Sequence, residues 1–216
     1  MHGFIGPLDR SVILGHTVTE TGRLETFADG VFAIAITLLV LTIRLPAPYE
    51  DLPRALAAQW PEFAAYVVSF LTIGIMWVQH HRLFTLIRRS NPTFSMINVV
   101  FLLFIAFVPY PTAVLAQRLG SGRNALEATL LYGGTMVAIA IMFNAIWLYA
   151  TARNGHLLGG ELSPERRSEA RGYRYGPPIY LAITALAVLS PILSLIGFLA
   201  FAAYWALPIS GATSTA

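Results

Sequence analysis

The fold is decided by the stretch Arg23-Leu-Glu-Thr-Phe-Ala-Asp29-Gly-Val-Phe-Ala-Ile34-Ala-Ile-Thr37-Leu-Leu-Val-Leu-Thr-Ile43. It is an apolar run long enough to cross a bilayer as a helix, which takes about 20 residues. An aspartate lies inside this run, and a carboxylate at that depth is costly unless it faces protein or water. The stretch therefore predicts a membrane-spanning helix whose first turns contact polar groups.

The composition of the whole chain points to the same class of protein. Of its 216 residues, 56% are hydrophobic and 12% are charged, whereas soluble domains carry about 25% charged residues. The chain has no cysteine, which excludes disulfides and thiolate metal sites. Every basic residue is an arginine in a short segment between apolar runs, which is typical of topology signals rather than of a nucleic-acid surface. The sequence predicts an all-α integral membrane protein that binds no nucleic acid.

Six apolar segments, called spans 1 to 6 below, are predicted to cross the membrane. They cover residues 22–45, 60–88, 92–119, 124–153, 178–190 and 191–207. They form one transmembrane domain, residues 22–208, between short tails at 1–21 and 209–216. Asn91-Pro92 suits the cap and first turn of span 3. Spans 5 and 6 are short, and one long broken segment is the alternative.

The arginines indicate how the spans are oriented. With both termini in the cytoplasm, four arginines lie outside: Arg44, Arg54, Arg118 and Arg123. Ten then lie inside: Arg10, Arg23, Arg82, Arg88, Arg89, Arg153, Arg166, Arg167, Arg171 and Arg174. Because cytoplasmic loops carry an excess of positive residues, this orientation is the predicted one.

Polar residues of three spans are predicted to lie at one depth. Helical rise places Asp29, His81 and Asn98 each about 10 Å from the cytoplasmic ends of their spans. A buried carboxylate needs a donor, and Arg23 and Trp77 can also supply one. We expect an interhelical hydrogen-bond network. The alternative is that each polar group is satisfied separately, as histidine and tryptophan can be near the membrane interface.

These residues resemble the transmembrane protein 175 family of lysosomal and prokaryotic potassium channels. The resemblance to its first helix is carried by Arg23, Phe27-Ala28-Asp29-Gly30, Ile34 and Thr37-Leu38. Its second and third helices are matched by Trp77-Val-Gln-His80-His81-Arg-Leu-Phe84, Asn98 and Phe107-Val-Pro109-Tyr-Pro111-Thr112. The family has serine where this chain has Ala28, which removes a hydroxyl hydrogen bond worth about 1 kcal/mol.

The resemblance implies six-helix subunits that assemble as a homotetramer in the plasma membrane. Four copies of the first helix would line one central pore, with no cofactor and with potassium as the permeant ion. The implied pore-lining residues are Ile34 at the constriction, Thr37 in a layer linked to cation selectivity, and Leu38 and Leu41 further along. The predicted interhelical polar network consists of Arg23, Phe27, Asp29, Trp77, His80, His81 and Asn98.

The depth of Ile34 agrees with this role. It follows Gly22 by twelve residues, which places it about 18 Å into a hydrocarbon layer about 30 Å thick. A ring of isoleucines there would be a hydrophobic constriction, which can gate by dewetting. Span 1 is apolar all round, however, so its periodicity leaves open whether Ile34, Leu38 and Leu41 face a pore, lipid or the core.

Two other functional classes were weighed against a channel. A proton-coupled secondary transporter could use Asp29, His80 and His81 as a relay. Such transporters typically have a binding site near the midplane with broken helices around it, whereas these groups lie in one leaflet. An intramembrane enzyme is not predicted. The adjacent histidines point about 100° apart, which is poor for one metal, and no glutamate stands at metalloprotease spacing.

Overall fold

The computed structural model describes residues 19–120, 122, 124–155, 157–160 and 172–206, and the secondary structure in this part of the chain is helical apart from one two-stranded ribbon and one isolated bridge. The helices are α1 Gly22–Leu38, α2 Leu52–Ala58, α3 Trp60–Leu86, α4 Pro92–Phe107, α5 Pro109–Leu119, α6 Ala125–Gly155, α7 Gly176–Ala185 and α8 Pro191–Ala206. The ribbon consists of β1 (Thr19–Glu20) and β2 (Arg89–Ser90). Most of the predicted N-terminal tail, all of the C-terminal tail and the end of span 6 lie outside the described residues.

Four segments are long and apolar enough to cross a membrane. They are Gly22–Thr42, Trp60–Leu86, Pro92–Leu119 and Ala125–Ala152, and they correspond to spans 1 to 4. The prediction of an all-helical membrane protein is therefore confirmed. The helices α7 and α8 occupy spans 5 and 6 and are shorter, so six membrane crossings remain a prediction.

Several boundaries differ from the predicted ones. A 3-10 turn, Leu39–Thr42, continues α1, and the extended backbone of Ile43 ends it three residues before the predicted end. The proline-rich segment that follows contains the short helix α2, which was not predicted. Span 3 divides between α4 and α5 at Val108, because Pro109 has no N–H to continue the helical hydrogen bonds. At the start of α4, the Asn91 side chain accepts from the Phe94 N–H at 2.9 Å, as expected for a cap.

The helix α1 lies at the edge of the subunit. It packs against α3 and α4, whereas α6 packs against α4, α5 and α7, and α8 packs against α3. In an apolar stretch of 18 residues within each span, buried residues make up 22% in the α1 span and 44–50% in the other three. More of α1 is therefore left uncovered than of the other spanning helices.

A backbone clasp fixes the start of α1. The strands β1 and β2 pair antiparallel, with Thr19 opposite Ser90, and the Thr21 hydroxyl donates to the Ile87 carbonyl at 3.2 Å. Ile87 also pairs with Leu158, which follows α6. We call this the clasp end of the subunit. It brings together the start of α1, the end of α3 and the segment after α6, which the arginine pattern predicts on one side of the membrane.

Close contact between α6 and α7 depends on one glycine. A Cβ placed on Gly133 would lie 2.8 Å from the Thr184 Cβ, whereas one on the adjacent Gly134 meets nothing within 4 Å. We expect Gly133→Ala to destabilise the protein by about 1–3 kcal/mol relative to Gly134→Ala, because overpacking forces neighbours to move. Thermal unfolding in detergent measures the difference. Both substitutions gain the same helix propensity, so equal stabilities would contradict the expected clash.

Candidate functional site

One face of α1 is packed into the subunit. Ala28, Phe32, Ala35 and Leu39 lie three or four residues apart and are all buried in the hydrophobic core. This spacing aligns them on one side of a helix. Ala28 is completely buried. The packed face therefore fixes the rotation of α1 about its own axis.

Among the described residues, none covers the opposite face of α1. Ile34, Leu38 and Leu41 are 61%, 42% and 76% exposed, and Gly30 and Thr37 are exposed beside them. We call these five residues the exposed face of α1. It contains every residue predicted to line a pore, and it is apolar apart from one hydroxyl.

The hydroxyl of Thr37 is oriented by the helix itself. Its Oγ1 donates to the Ile34 carbonyl at 2.9 Å, which uses its one hydrogen. Only oxygen lone pairs then remain for any further partner. The exposed face of α1 therefore offers a hydrogen-bond acceptor, suited to a cation, one turn from Ile34.

Asp29 is joined to α3 at the surface of the subunit. Its Oδ1 accepts from Trp77 Nε1 at 2.8 Å, and the His81 ring stacks on Trp77 with centroids 6.3 Å apart. Arg23 and Phe27 lie nearby along α1 and are exposed. The donor that the Asp29 carboxylate requires is therefore the indole of Trp77.

His80 and Asn98 form a second pair, inside the subunit. His80 Nε2 and Asn98 Oδ1 are 3.0 Å apart, and both residues are buried. The His80 ring stacks on Phe84 and Phe101, with centroids 4.4 Å and 5.4 Å away. It also contacts Phe32 of α1 at 5.6 Å. The structure thus joins Asn98 to His80 rather than to His81, although sequence depth alone grouped Asn98 with His81.

A polar cluster that was not predicted from the sequence lies at the other end of α1. Glu62 is 2% exposed; its Oε2 accepts from the Arg44 backbone N–H, and its Oε1 from Arg44 Nε, both at 2.9 Å. Arg44 Nη2 lies 2.8 Å from the same Oε1. Gln59 Nε2 donates to the Arg44 carbonyl at 2.9 Å. We call Arg44, Gln59 and Glu62 the Glu62 cluster. A signal was present, because an arginine ends span 1 and a carboxylate begins span 2.

These features define a helical membrane protein whose edge helix carries an uncovered apolar face and is tied to α3 at both ends. The chain belongs to the TMEM175 family: the sequence model described as endosomal/lysosomal potassium channel TMEM175 matches residues 23–109. The resemblance noted in the sequence is thereby confirmed. This is a family of ion channels, not of enzymes.

Three similar proteins illustrate the relationship. A potassium channel of Streptomyces collinus is 44% identical over 183 residues, which cover 82% of this chain and 87% of that one. The crystal structure of a lysosomal potassium-selective channel TMEM175 homolog from Chamaesiphon minutus is 41% identical, with a TM-score of 0.77, over 86% of this chain and 96% of that one. The endosomal/lysosomal proton channel TMEM175 of Rattus norvegicus is 29% identical over 195 residues, covering 86% of this chain and 37% of that one.

Proposed function

We propose that this protein is a potassium-selective channel of the plasma membrane. Four copies assemble around a central pore lined by the exposed face of α1. The clasp end and both termini are cytoplasmic, as the arginine distribution favours. Potassium passes down its gradient, and no cofactor takes part. The names of the two bacterial relatives, which match most of this chain, support potassium as the permeant ion.

The observation that carries this proposal is the division of α1 into two faces. Phe32, Ala35 and Leu39 hold one face against α3 and α4. The other face presents Ile34, Thr37 and Leu38 outward in a regular stripe. One helix cannot enclose a pore, so several subunits must contribute their copies of α1. The number four comes from the family resemblance.

Each residue of the exposed face has a role in this arrangement. Ile34 forms the narrowest ring near the middle of the membrane, and Leu38 and Leu41 continue the apolar wall toward the outer mouth. A constriction of this kind stops ions when it loses water. The Thr37 oxygen provides a polar layer next to it. Asp29 is bonded to Trp77, so we assign it to holding α1 in place rather than to conducting ions.

The experiment that tests the function is ion flux in liposomes. The purified protein is reconstituted, and potassium, sodium and proton fluxes are measured under matched gradients. We expect potassium flux well above that of empty vesicles and above that of sodium. The name of the rat relative makes proton flux the necessary comparison. Absence of potassium flux contradicts the proposal, and saturable pH-driven solute uptake would favour the proton-coupled transporter instead.

Cysteine substitution tests which face lines the pore. Because the native chain has no cysteine, a single introduced thiol is the only target for a charged, water-soluble thiol reagent. We expect the reagent to modify Leu41→Cys and to block at least about half of the potassium flux, since bulky charge obstructs a narrow pore. Leu103→Cys is the control: Leu103 is 64% exposed in the subunit but lies on α4. Equal block of both variants contradicts the assignment.

A further inference from the structure

We propose that Glu62 is a positioning residue that sets the place of the last turn of α1 and the charge at the outer mouth of the pore. This inference rests on the proposed function, because the position of that turn affects ion flow only if α1 lines the pore. It concerns residues outside the region near Asp29. Two separate observations carry it, one about the backbone and one about charge.

The backbone of Arg44 is held by side chains that lie around the start of α3. Its N–H donates to Glu62 Oε2, and its carbonyl accepts from Gln59 Nε2, both at 2.9 Å. The preceding turn, Leu39–Thr42, is a 3-10 turn and is followed by an extended residue. The hydrogen-bond geometry of such turns is poorer than that of an α-helix. Contacts with other segments therefore contribute strongly to the position of the turn. Leu41 of the exposed face belongs to this turn.

Charge compensation is the second observation. The Glu62 side chain is 3% exposed, while the Arg44 side chain is 69% exposed. Removal of either member of such a buried pair leaves the other charge uncompensated. In a tetramer, loss of Glu62 would leave one unpaired arginine per subunit at the outer mouth. Like charge repels an approaching cation and lowers its local concentration.

The neighbouring carboxylates do not replace Glu62. Glu50 accepts from the Ala47 backbone N–H at 3.3 Å within its own loop, and it is exposed. It carries the same charge at the same end of the subunit but does not hold α1. Glu50→Gln is therefore the matched control for Glu62→Gln.

Single-channel recording of the reconstituted full-length protein tests the proposal. Glu62→Gln keeps an oxygen for the Arg44 N–H and loses the charge, whereas Glu62→Ala loses both. For Glu62→Gln we expect the unitary potassium current to fall about threefold for ions entering from the Glu62 end, and this asymmetry to fade near 1 M salt through screening. Glu62→Ala is expected to reduce the current in both directions at all salt concentrations. Glu50→Gln removes a charge at the same end without holding α1, so it is expected to show at most this salt-screened asymmetry and no loss of current near 1 M salt.

The outcomes separate three cases. Lack of potassium current in the native protein contradicts the proposed function itself. Native unitary currents in both Glu62 variants, with only the yield of folded protein reduced, overturn the positioning role and leave the channel function standing. If neither variant folds, Glu62→Asp takes their place. It keeps the charge, but its shorter side chain reaches less far toward the Arg44 backbone N–H, so the current should fall in both directions at all salt concentrations. A native current in this variant also overturns the proposal.

Discussion

Ile34→Ala is expected to raise the potassium flux of reconstituted protein at least about tenfold, because it removes most of the side chain at the proposed constriction and lets water remain there. Ile34 is 61% exposed in the subunit, at the centre of the exposed face of α1. A wider, wetter pore also discriminates less between ions of different size. We therefore expect the preference for potassium over sodium to fall together with the rise in flux.

Leu103→Ala provides the control for this prediction. Leu103 of α4 has nearly the same exposure, 64%, and is also a large aliphatic residue. Its truncation should leave both flux and ion preference unchanged. If both substitutions give native flux, or if Ile34→Ala merely lowers the amount of folded protein, then Ile34 does not form the constriction. Flux is therefore normalised to the folded protein recovered after reconstitution.

The sequence was sufficient to predict the long helices and part of the site. Apolar runs bounded by prolines and arginines allow few alternatives in a membrane, because a spanning backbone must satisfy its own hydrogen bonds. The cap at Asn91 followed from local chemistry, and the structure contains it. A carboxylate in an apolar segment must be hydrogen-bonded, so the sequence also predicted a donor for Asp29. It left four candidates, and the donor in the structure is one of them, Trp77.

What the sequence could not decide was the rotation of each helix. The helix α1 is apolar on all sides, so periodicity does not distinguish the packed face with Phe32 from the exposed face with Ile34. The same difficulty applies to α3, where His80 and His81 are neighbours of identical chemistry. Only contacts with α1 and α4 make His80 buried and leave His81 exposed. The rotation of a helix about its axis is set by tertiary packing, which cannot be inferred from the sequence of a uniformly apolar helix.

The end of α1 was missed for a different reason. An apolar run gives no stop signal until its first proline, Pro46, so the predicted helix continued to Leu45. In the structure the helix ends earlier, because the Arg44 backbone is hydrogen-bonded to side chains instead: its N–H donates to Glu62, and its carbonyl accepts from Gln59. These partners come from the start of α3. A helix end fixed by distant side chains in this way lies beyond what local capping rules can predict.

The two histidines also give the largest expected difference in stability between adjacent positions. We expect His80→Ala to destabilise the protein by about 3 kcal/mol or more, since it leaves a cavity among aromatic rings and removes the partner of a buried amide. The ring of His80 packs between Phe84 and Phe101 and reaches Asn98 Oδ1 at 3.0 Å. His81→Ala, which removes an exposed ring stacked on Trp77, should cost about 1 kcal/mol or less. Thermal unfolding in detergent, followed by loss of the monodisperse peak, measures both.

A third substitution separates packing from hydrogen bonding at this position. His80→Phe keeps a ring of similar shape between Phe84 and Phe101 but leaves Asn98 Oδ1 without a donor, which costs about 1–3 kcal/mol in a buried site. We expect its stability to lie between those of the native protein and His80→Ala. Native stability in His80→Phe would mean that stacking alone accounts for the role of His80. Equal losses from His80→Ala and His81→Ala would contradict the burial that distinguishes them. His80 also contacts Phe32 on the packed face of α1. Substitutions that loosen the packing around His80 should therefore also change the position of α1, and with it the shape of the proposed pore.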